Sequence, residues 1–363
     1  MNPLKKLWTD HRQAVWLDYI ERDLLTGGGL ARFVADDGVR GVTSNPSIFQ
    51  KAIEGGGAYD AAVAALLDAK PAMATKDLYE ALAIEDIRGA ADVLRQVWSE
   101  SGGEDGFVSL EVSPHLAHDS DGTVAEARRL WAAVDRPNLM IKVPATAAGM
   151  PAIESLIASG INVNATLMFS LADYEAVAQA YVRGIAACAD PRRVASVASF
   201  FVSRVDTKVD AALEDIGTEK ALAMRGKAAV ANARLAYHRF EEIFHDGPFA
   251  EQTARGARPQ RPLWASTSSK NPAYRDVVYV EELIGPETVN TLPVATLEAF
   301  RDHGEPRTSI TEDVDGAVTT MAALADLGID MDAVTAELQV EGVAAFSSSF
   351  DQLLAALDGA RSV

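Results

Sequence analysis

The sequence holds one cysteine, Cys188, among its 363 residues, so no disulfide can form within the chain. No window approaches about 18 uninterrupted apolar residues, which removes any candidate membrane span. The basic start at Lys5 and Lys6 is not followed by the apolar core of a secretory leader. Positive charge is scarce: 33 Lys and Arg stand against 52 Asp and Glu, a net charge of −19. Repulsion from phosphate then disfavours nonspecific nucleic-acid binding, although a few converging cations can still hold an anionic metabolite. Phosphate-binding glycine loops are missing too. Gly27-Gly28-Gly29 and Gly55-Gly56-Gly57 lack both the G-x-G-x-x-G and the Walker spacing and read as turns or hinges. By elimination the expectation is a soluble cytoplasmic protein without membrane or nucleic-acid partners, with a homo-oligomer left open.

What is present is ample apolar material, 48% of residues, arranged in short β-like runs that alternate with amphipathic helical stretches. The candidate strands are Ala14–Ile20, Val39–Thr43, Phe107–Val112, Leu139–Val143, Gly160–Met168, Arg193–Phe201, Pro262–Ala265 and Thr288–Leu292. Eight such runs with helices between them predict one α/β domain, a closed (β/α)8 barrel of the TIM type with additional helices. A doubly wound sheet is the competitor, and the missing glycine loop counts against it. Thr75-Lys76-Asp77-Leu78 and the capping-box spacing Ser309-Ile310-Thr311-Glu312 mark predicted helix starts. The Gly-, Pro-, Arg- and Gln-rich stretch Asp246–Pro262 reads as a long exposed loop, and the tail from Asp330 to Leu357 as a helix across one barrel end. Cys188 lies in an apolar helical run and reads as a buried structural thiol.

Chemistry concentrates where the predicted strands end. In Asn138–Thr146 a single lysine, Lys142, sits among aliphatic neighbours. Burial disfavours an ammonium, and a neutral amine can attack a carbonyl to form a Schiff base. The other strand ends supply Asp18, Thr43-Ser44-Asn45-Pro46-Ser47, Glu111, the alternating Asn162, Asn164 and Thr166, then Ser199 with Arg204, and finally Ser266 to Asn271. Each has a plainer reading. Asp18 could pair with Arg40 or cap a helix, Glu111 could form a structural ion pair with Lys142, and Asn45 before Pro46 suits a turn. Thr166 and Ser199 suit a buried strand, Phe201 suits the core, and Arg204 could pair with Asp206 or Asp210. His115 and His118 beside Asp119 and Asp121 read as part of a solvated acidic loop rather than a metal site.

Together these segments resemble the transaldolases of the longer bacterial type, within the class I Schiff-base aldolase superfamily. The resemblance rests on Gly41–Ser47, Ile141–Thr146, Ile161–Ser170, Ala198–Arg204 and Trp264–Pro272, in family order over roughly residues 10 to 300. It implies transfer of a dihydroxyacetone unit in the non-oxidative pentose phosphate pathway, without metal or organic cofactor. Donors would be sedoheptulose 7-phosphate or fructose 6-phosphate, and acceptors glyceraldehyde 3-phosphate or erythrose 4-phosphate. By the same resemblance Lys142 is the Schiff-base nucleophile and Asp18 the acid/base at the C4 hydroxyl. Glu111 and Thr166 hold a proton-relaying water. Asn45, Asn164 and Ser199 bind the dihydroxyacetone hydroxyls, and Arg204 clamps phosphate with Phe201 nearby. One departure follows strand seven, where the shorter transaldolases use an arginine and this chain offers Ser266, Ser268 and Lys270. The alternatives are a related Schiff-base aldolase that releases the three-carbon unit, and a noncatalytic phosphosugar-binding barrel.

Overall fold

The computed structural model describes residues 2–55, 57–245, 247 and 249–360. Eight parallel strands close in sequence order: β1 (Gln13–Leu17), β2 (Gly41–Val42), β3 (Phe107–Glu111), β4 (Leu139–Pro144), β5 (Val163–Met168), β6 (Ser196–Phe201), β7 (Arg261–Ala265) and β8 (Thr288–Leu292). β1 closes the ring by pairing with β8, Gln13 opposite Thr288 and Leu17 opposite Leu292. The predicted (β/α)8 barrel is therefore the observed one. Its strands are near-continuous apolar runs because helices cover the outer face while side chains fill the inside.

Register matters most at β3 to β5. Glu111 lies opposite Lys142, Lys142 opposite Asn164, and Pro144 opposite Thr166. Paired residues on parallel strands project to the same face, so Glu111, Lys142 and Asn164 form one row at the carboxyl end of the barrel. β5 then breaks register with β6 between Ala165 and Met168, where Leu167 adopts φ 62°. In the two-residue β2, Gly41 lies against the Trp16 ring: a Cβ there would fall 2.4 Å from a ring carbon. Trp16 is fully buried and donates its indole N–H to Asp105 at 2.8 Å.

The tail forms one helix, Met331–Ala360, that lies over the carboxyl end of the barrel and packs on the Pro46–Glu54 and Thr75–Val93 helices. No helix among the described residues is long and apolar enough to cross a membrane. Cys188 caps the Leu171–Ala187 helix and is buried.

Three local expectations are corrected. Within Asp246–Pro262, a short helix spans Ala250–Ala254, and Phe249, Gln252, Ala257 and Gln260 are buried; Asp246 and Pro248 lie outside the described residues, as does Gly56 of the second glycine triplet. Apolar Phe249 and Ala257 anchor that stretch, and Arg255 donates to the Cys188 carbonyl at 2.8 Å. Ser309 caps no helix, because its hydroxyl bonds Glu281 O and the Ile284 N–H instead; the helix begins at Val314 behind Asp313. Thr75 is the first helical residue rather than the cap, with its hydroxyl turned to Asp358.

Candidate active site

Lys142 leaves β4 pointing into the carboxyl end of the barrel and is 4% exposed. Its Nζ donates to the Ser44 carbonyl at 3.3 Å and lies 3.5 Å from Glu111 Oε2. Neither Glu111 oxygen has a hydrogen-bond partner among the described residues. Burial is the main reason its carboxyl is pushed up to about 7; the Lys142 charge opposes the shift and Asp18 adds to it. The Thr166 hydroxyl, opposite Pro144 at the end of β4, is likewise buried without a partner among the described residues.

Asp18 follows β1 directly. Thr43 donates to its Oδ1 at 2.7 Å, and Thr43 is itself 2.7 Å from the Thr291 hydroxyl. Burial raises the Asp18 pKa, with the Thr43 hydrogen bond and then Lys142 pulling it back. Arg40 is engaged elsewhere, paired with Asp105 at 2.8 Å and stacked on Trp8, so it is not the partner of Asp18. Asn45 does cap a helix: its side-chain oxygen accepts the Ile48 N–H at 3.0 Å. That leaves its amide NH2 without a partner among the described residues.

These residues border a cavity of about 760 Å³. Asp18, Asn45, Lys142, Ser199, Phe201, Arg204, Ser266, Ser268 and Lys270 all line it. Glu111, Thr166 and Asn164 do not. Glu111 sits behind Lys142, and Asn164 lies below the floor, donating to Ser109 Oγ at 3.0 Å and accepting from Ser199 Oγ at 2.7 Å. Two further cavity residues, Lys51 and Phe346, escaped sequence reasoning. Lys51 lies on the helix after Asn45, four and three residues past Ser47 and Ile48, which also line the cavity. Phe346 comes from the C-terminal helix, and its ring centroid is 5.5 Å from Lys142 Nζ. Its only sequence signal was the apolar spacing Phe346, Phe350, Leu353, Leu357, which cannot distinguish core from cavity wall.

Arg204 forms no ion pair with Asp206 or Asp210. Asp206 accepts from the Ala229 N–H and the Tyr279 hydroxyl, each at 2.8 Å, and Asp210 accepts from Gly226 and Tyr274. The guanidinium lies 5.5 Å from the Phe201 ring centroid; it forms no ion pair among the described residues, Glu341 acting on it from farther off. Among the described residues Lys270 donates only to Ser268, at 2.6 Å. Ser266 holds φ 56° and lies 3.0 Å from the Ser203 hydroxyl. His115 pairs with Asp351 at 2.8 Å, and no group of three His, Cys, Asp or Glu among the described residues is placed to hold a metal.

The arrangement joins a buried amine, two carboxylates in different surroundings, neutral hydroxyl and amide groups, and uncompensated cations at one wall. It is equipped for amine attack on a carbonyl compound that carries hydroxyls and an anionic end.

The sequence pattern of the family described as Transaldolase/Fructose-6-phosphate aldolase matches residues 15–357. The chain is 54% identical over 347 residues to a protein of Thiobacillus denitrificans named Transaldolase, covering 94% of this chain and 96% of that one. It is 53% identical to a Transaldolase of a Parafrankia species (94% and 93% covered) and 49% identical to Transaldolase 1 of Streptomyces coelicolor (96% and 92% covered).

Proposed function

This chain belongs to the transaldolase/fructose-6-phosphate aldolase family, and from that premise we propose how its cavity carries a three-carbon ketone unit between phosphorylated sugars. The protein is a transaldolase. The observation that carries the residue-level reading is Lys142, buried beside Glu111 yet opening onto the cavity that Asp18 also lines.

Lys142 Nζ attacks the C2 carbonyl of sedoheptulose 7-phosphate or fructose 6-phosphate. A carboxyl with pKa near 7 exists in both forms at neutral pH. Glu111 can therefore donate the proton that lets the carbinolamine hydroxyl leave as water, and take one back on the return. A water held between Glu111 and the Thr166 hydroxyl would carry it, satisfying polar atoms that otherwise lack partners. The resulting protonated imine is the electron sink. Asp18, held by Thr43, takes the C4 hydroxyl proton; the C3–C4 bond breaks, its electrons pass to the imine, and the aldose phosphate leaves. The enamine then attacks the aldehyde of glyceraldehyde 3-phosphate or erythrose 4-phosphate, and Asp18 returns its proton.

Asn45, through its free amide, and Ser199 take the hydroxyls of the three-carbon unit. Asn164 supports Ser199 from beneath through their 2.7 Å hydrogen bond. Arg204 supplies the phosphate clamp, stacked by Phe201, with Lys270 and the hydroxyls of Ser266 and Ser268 on the same wall. Since these substrates are impermeant phosphosugars, the reading places the enzyme in the cytoplasm.

Borohydride reduction in the presence of fructose 6-phosphate, followed by peptide mass mapping, tests the scheme. The expected result is a three-carbon adduct on Lys142. Its absence from folded protein, or its presence on another residue, removes Lys142 from the nucleophile's role.

A further inference from the structure

Four residues of the C-terminal helix, Gln339, Gly342, Phe346 and Ser349, recur at spacings of three, four and three and so share one helical face. Three of them fix the helix to the barrel. Gln339 donates to the carbonyls of Ala145 at 3.0 Å and Leu167 at 3.3 Å, just past β4 and in the left-handed turn of β5. Gly342 lies so close that a Cβ would sit 3.0 Å from Leu167 Cδ2. Ser349 accepts from the Ser47 hydroxyl at 2.7 Å. Lys208 adds ion pairs to Glu337 at 3.0 Å and Glu341 at 2.7 Å. Between these anchors stands Phe346, 5% exposed, lining the cavity with its ring 5.5 Å from Lys142 Nζ. The polar contacts of Nζ are taken by Ser44 and Glu111, and the ring covers the approach from the helix.

We propose that Phe346 is a specificity-determining residue: it decides whether the three-carbon intermediate on Lys142 is transferred to an aldehyde or released to water. The proposal rests on the Schiff-base reading above. Release needs one event that transfer does not. The enamine carbon takes a proton from water instead of bonding to the aldehyde carbon, giving a three-carbon imine; water then adds to the imine carbon, forming a C–O bond, as it also must when a transfer product leaves. The carbinolamine collapses with cleavage of the C–N bond, the electron pair and a proton going to Nζ, and dihydroxyacetone departs. The enamine carbon is two covalent bonds from Nζ, so a ring lying over Nζ also stands against the water that would protonate that carbon. A phenyl face offers no strong hydrogen-bond partner with which to position such a water. The acceptor aldehyde comes instead from the cavity side, where Asp18 and Arg204 stand.

The test compares the native enzyme with Phe346→Leu and Phe346→Ala. Free dihydroxyacetone released from fructose 6-phosphate is measured against sedoheptulose 7-phosphate formed when erythrose 4-phosphate is present, and borohydride adducts are mapped in parallel. The expected result is an adduct on Lys142 in each, with the release-to-transfer ratio raised several-fold in Phe346→Ala and less in Phe346→Leu. Adducts with an unchanged ratio, including a parallel fall of both products, overturn the role of Phe346 and reduce it to support. If Phe346→Ala does not fold, the Phe346→Leu ratio alone decides. Absence of any adduct in the native enzyme overturns the underlying imine reading instead, a failure distinct from the first.

Discussion

Lys142 Nζ and Glu111 Oε2 stand 3.5 Å apart on adjacent strands, in direct register, and both are nearly fully buried. The contact is an ion pair by distance, yet Glu111 gains no hydrogen bond from it. Desolvation outweighs the lysine's attraction, and the carboxyl is held up at about 7 rather than down in the usual carboxylate range. A structural ion pair would show the opposite sign. The pair is arranged to keep a proton exchangeable near neutral pH.

That sign has a consequence for stability. Between pH 4.5 and 7 the folded protein retains a proton on Glu111 that the unfolded chain has lost, so this carboxyl's contribution falls as pH rises through that window. The full effect is up to about 3 kcal/mol. Glu111→Gln should remove this part of the slope, leaving the variant relatively more stable at pH 8 than at pH 5. Urea unfolding of both proteins across pH 5 to 8 checks it, and parallel pH curves would mean that Glu111 titrates alike in the folded and unfolded chains. The same variant should slow formation of the borohydride-trappable adduct.

Asp18 is placed to act after the imine forms. Asp18→Asn preserves an acceptor for the Thr43 hydroxyl but removes the base. Turnover should fall about 10²–10⁴-fold, while uncleaved six-carbon adducts on Lys142 accumulate under borohydride. Equal loss of adduct formation and cleavage would instead make Asp18 a positioning residue for Lys142.

Gly41 tests the barrel rather than the chemistry. Replacement by alanine would put a methyl 2.4–2.7 Å from three atoms of the Trp16 ring, which is fully buried and tied to Asp105. Overpacking of this kind costs about 1–3 kcal/mol. Gly41→Ala should lower the urea midpoint accordingly. An unchanged midpoint would show that the ring can shift at no cost.

Strand positions were legible because both faces of a parallel barrel strand are buried, and that writes long apolar runs into the sequence. Lys142, Asp18 and Glu111 stood out for the same reason, as charges interrupting such runs. Phe346 did not stand out. It belongs to an ordinary apolar helical stripe, and only tertiary placement, about 200 residues along the chain from Lys142, turns one member of that stripe toward the cavity. Lys51 was hidden similarly, because nothing in the sequence after the Asn45-Pro46 turn told which way its side chain would face. The error at Asp246–Pro262 had another cause: composition suggested an exposed loop, but Phe249 and Ala257 bury themselves under the neighbouring helices. At Ser309 the S-x-x-E spacing was real, yet its hydroxyl found Glu281 and Ile284, 28 and 25 residues away in sequence; local motifs compete with tertiary partners and here lost.

Arg204 offers the sharpest separation of binding from chemistry. In a chain of net charge −19, a largely buried guanidinium with no carboxylate at ion-pair distance among the described residues is open to an anionic ligand; burial pushes its pKa below the ordinary arginine range, and Glu341, acting from farther off, only partly offsets that. A phosphate is suited to that fork. Arg204→Ala should therefore raise KM for fructose 6-phosphate about 10- to 100-fold, the scale of charged hydrogen bonds worth about 1.5–3 kcal/mol, and change KM for unphosphorylated donors little. Arg204→Lys should recover only part of the loss, since an ammonium supplies the charge without the paired donors. Equal effects on both donor classes would mean that the guanidinium shapes the cavity rather than holding phosphate, and would transfer the phosphate assignment to Lys270 and Lys51, which with Lys142 are the other cations lining the cavity.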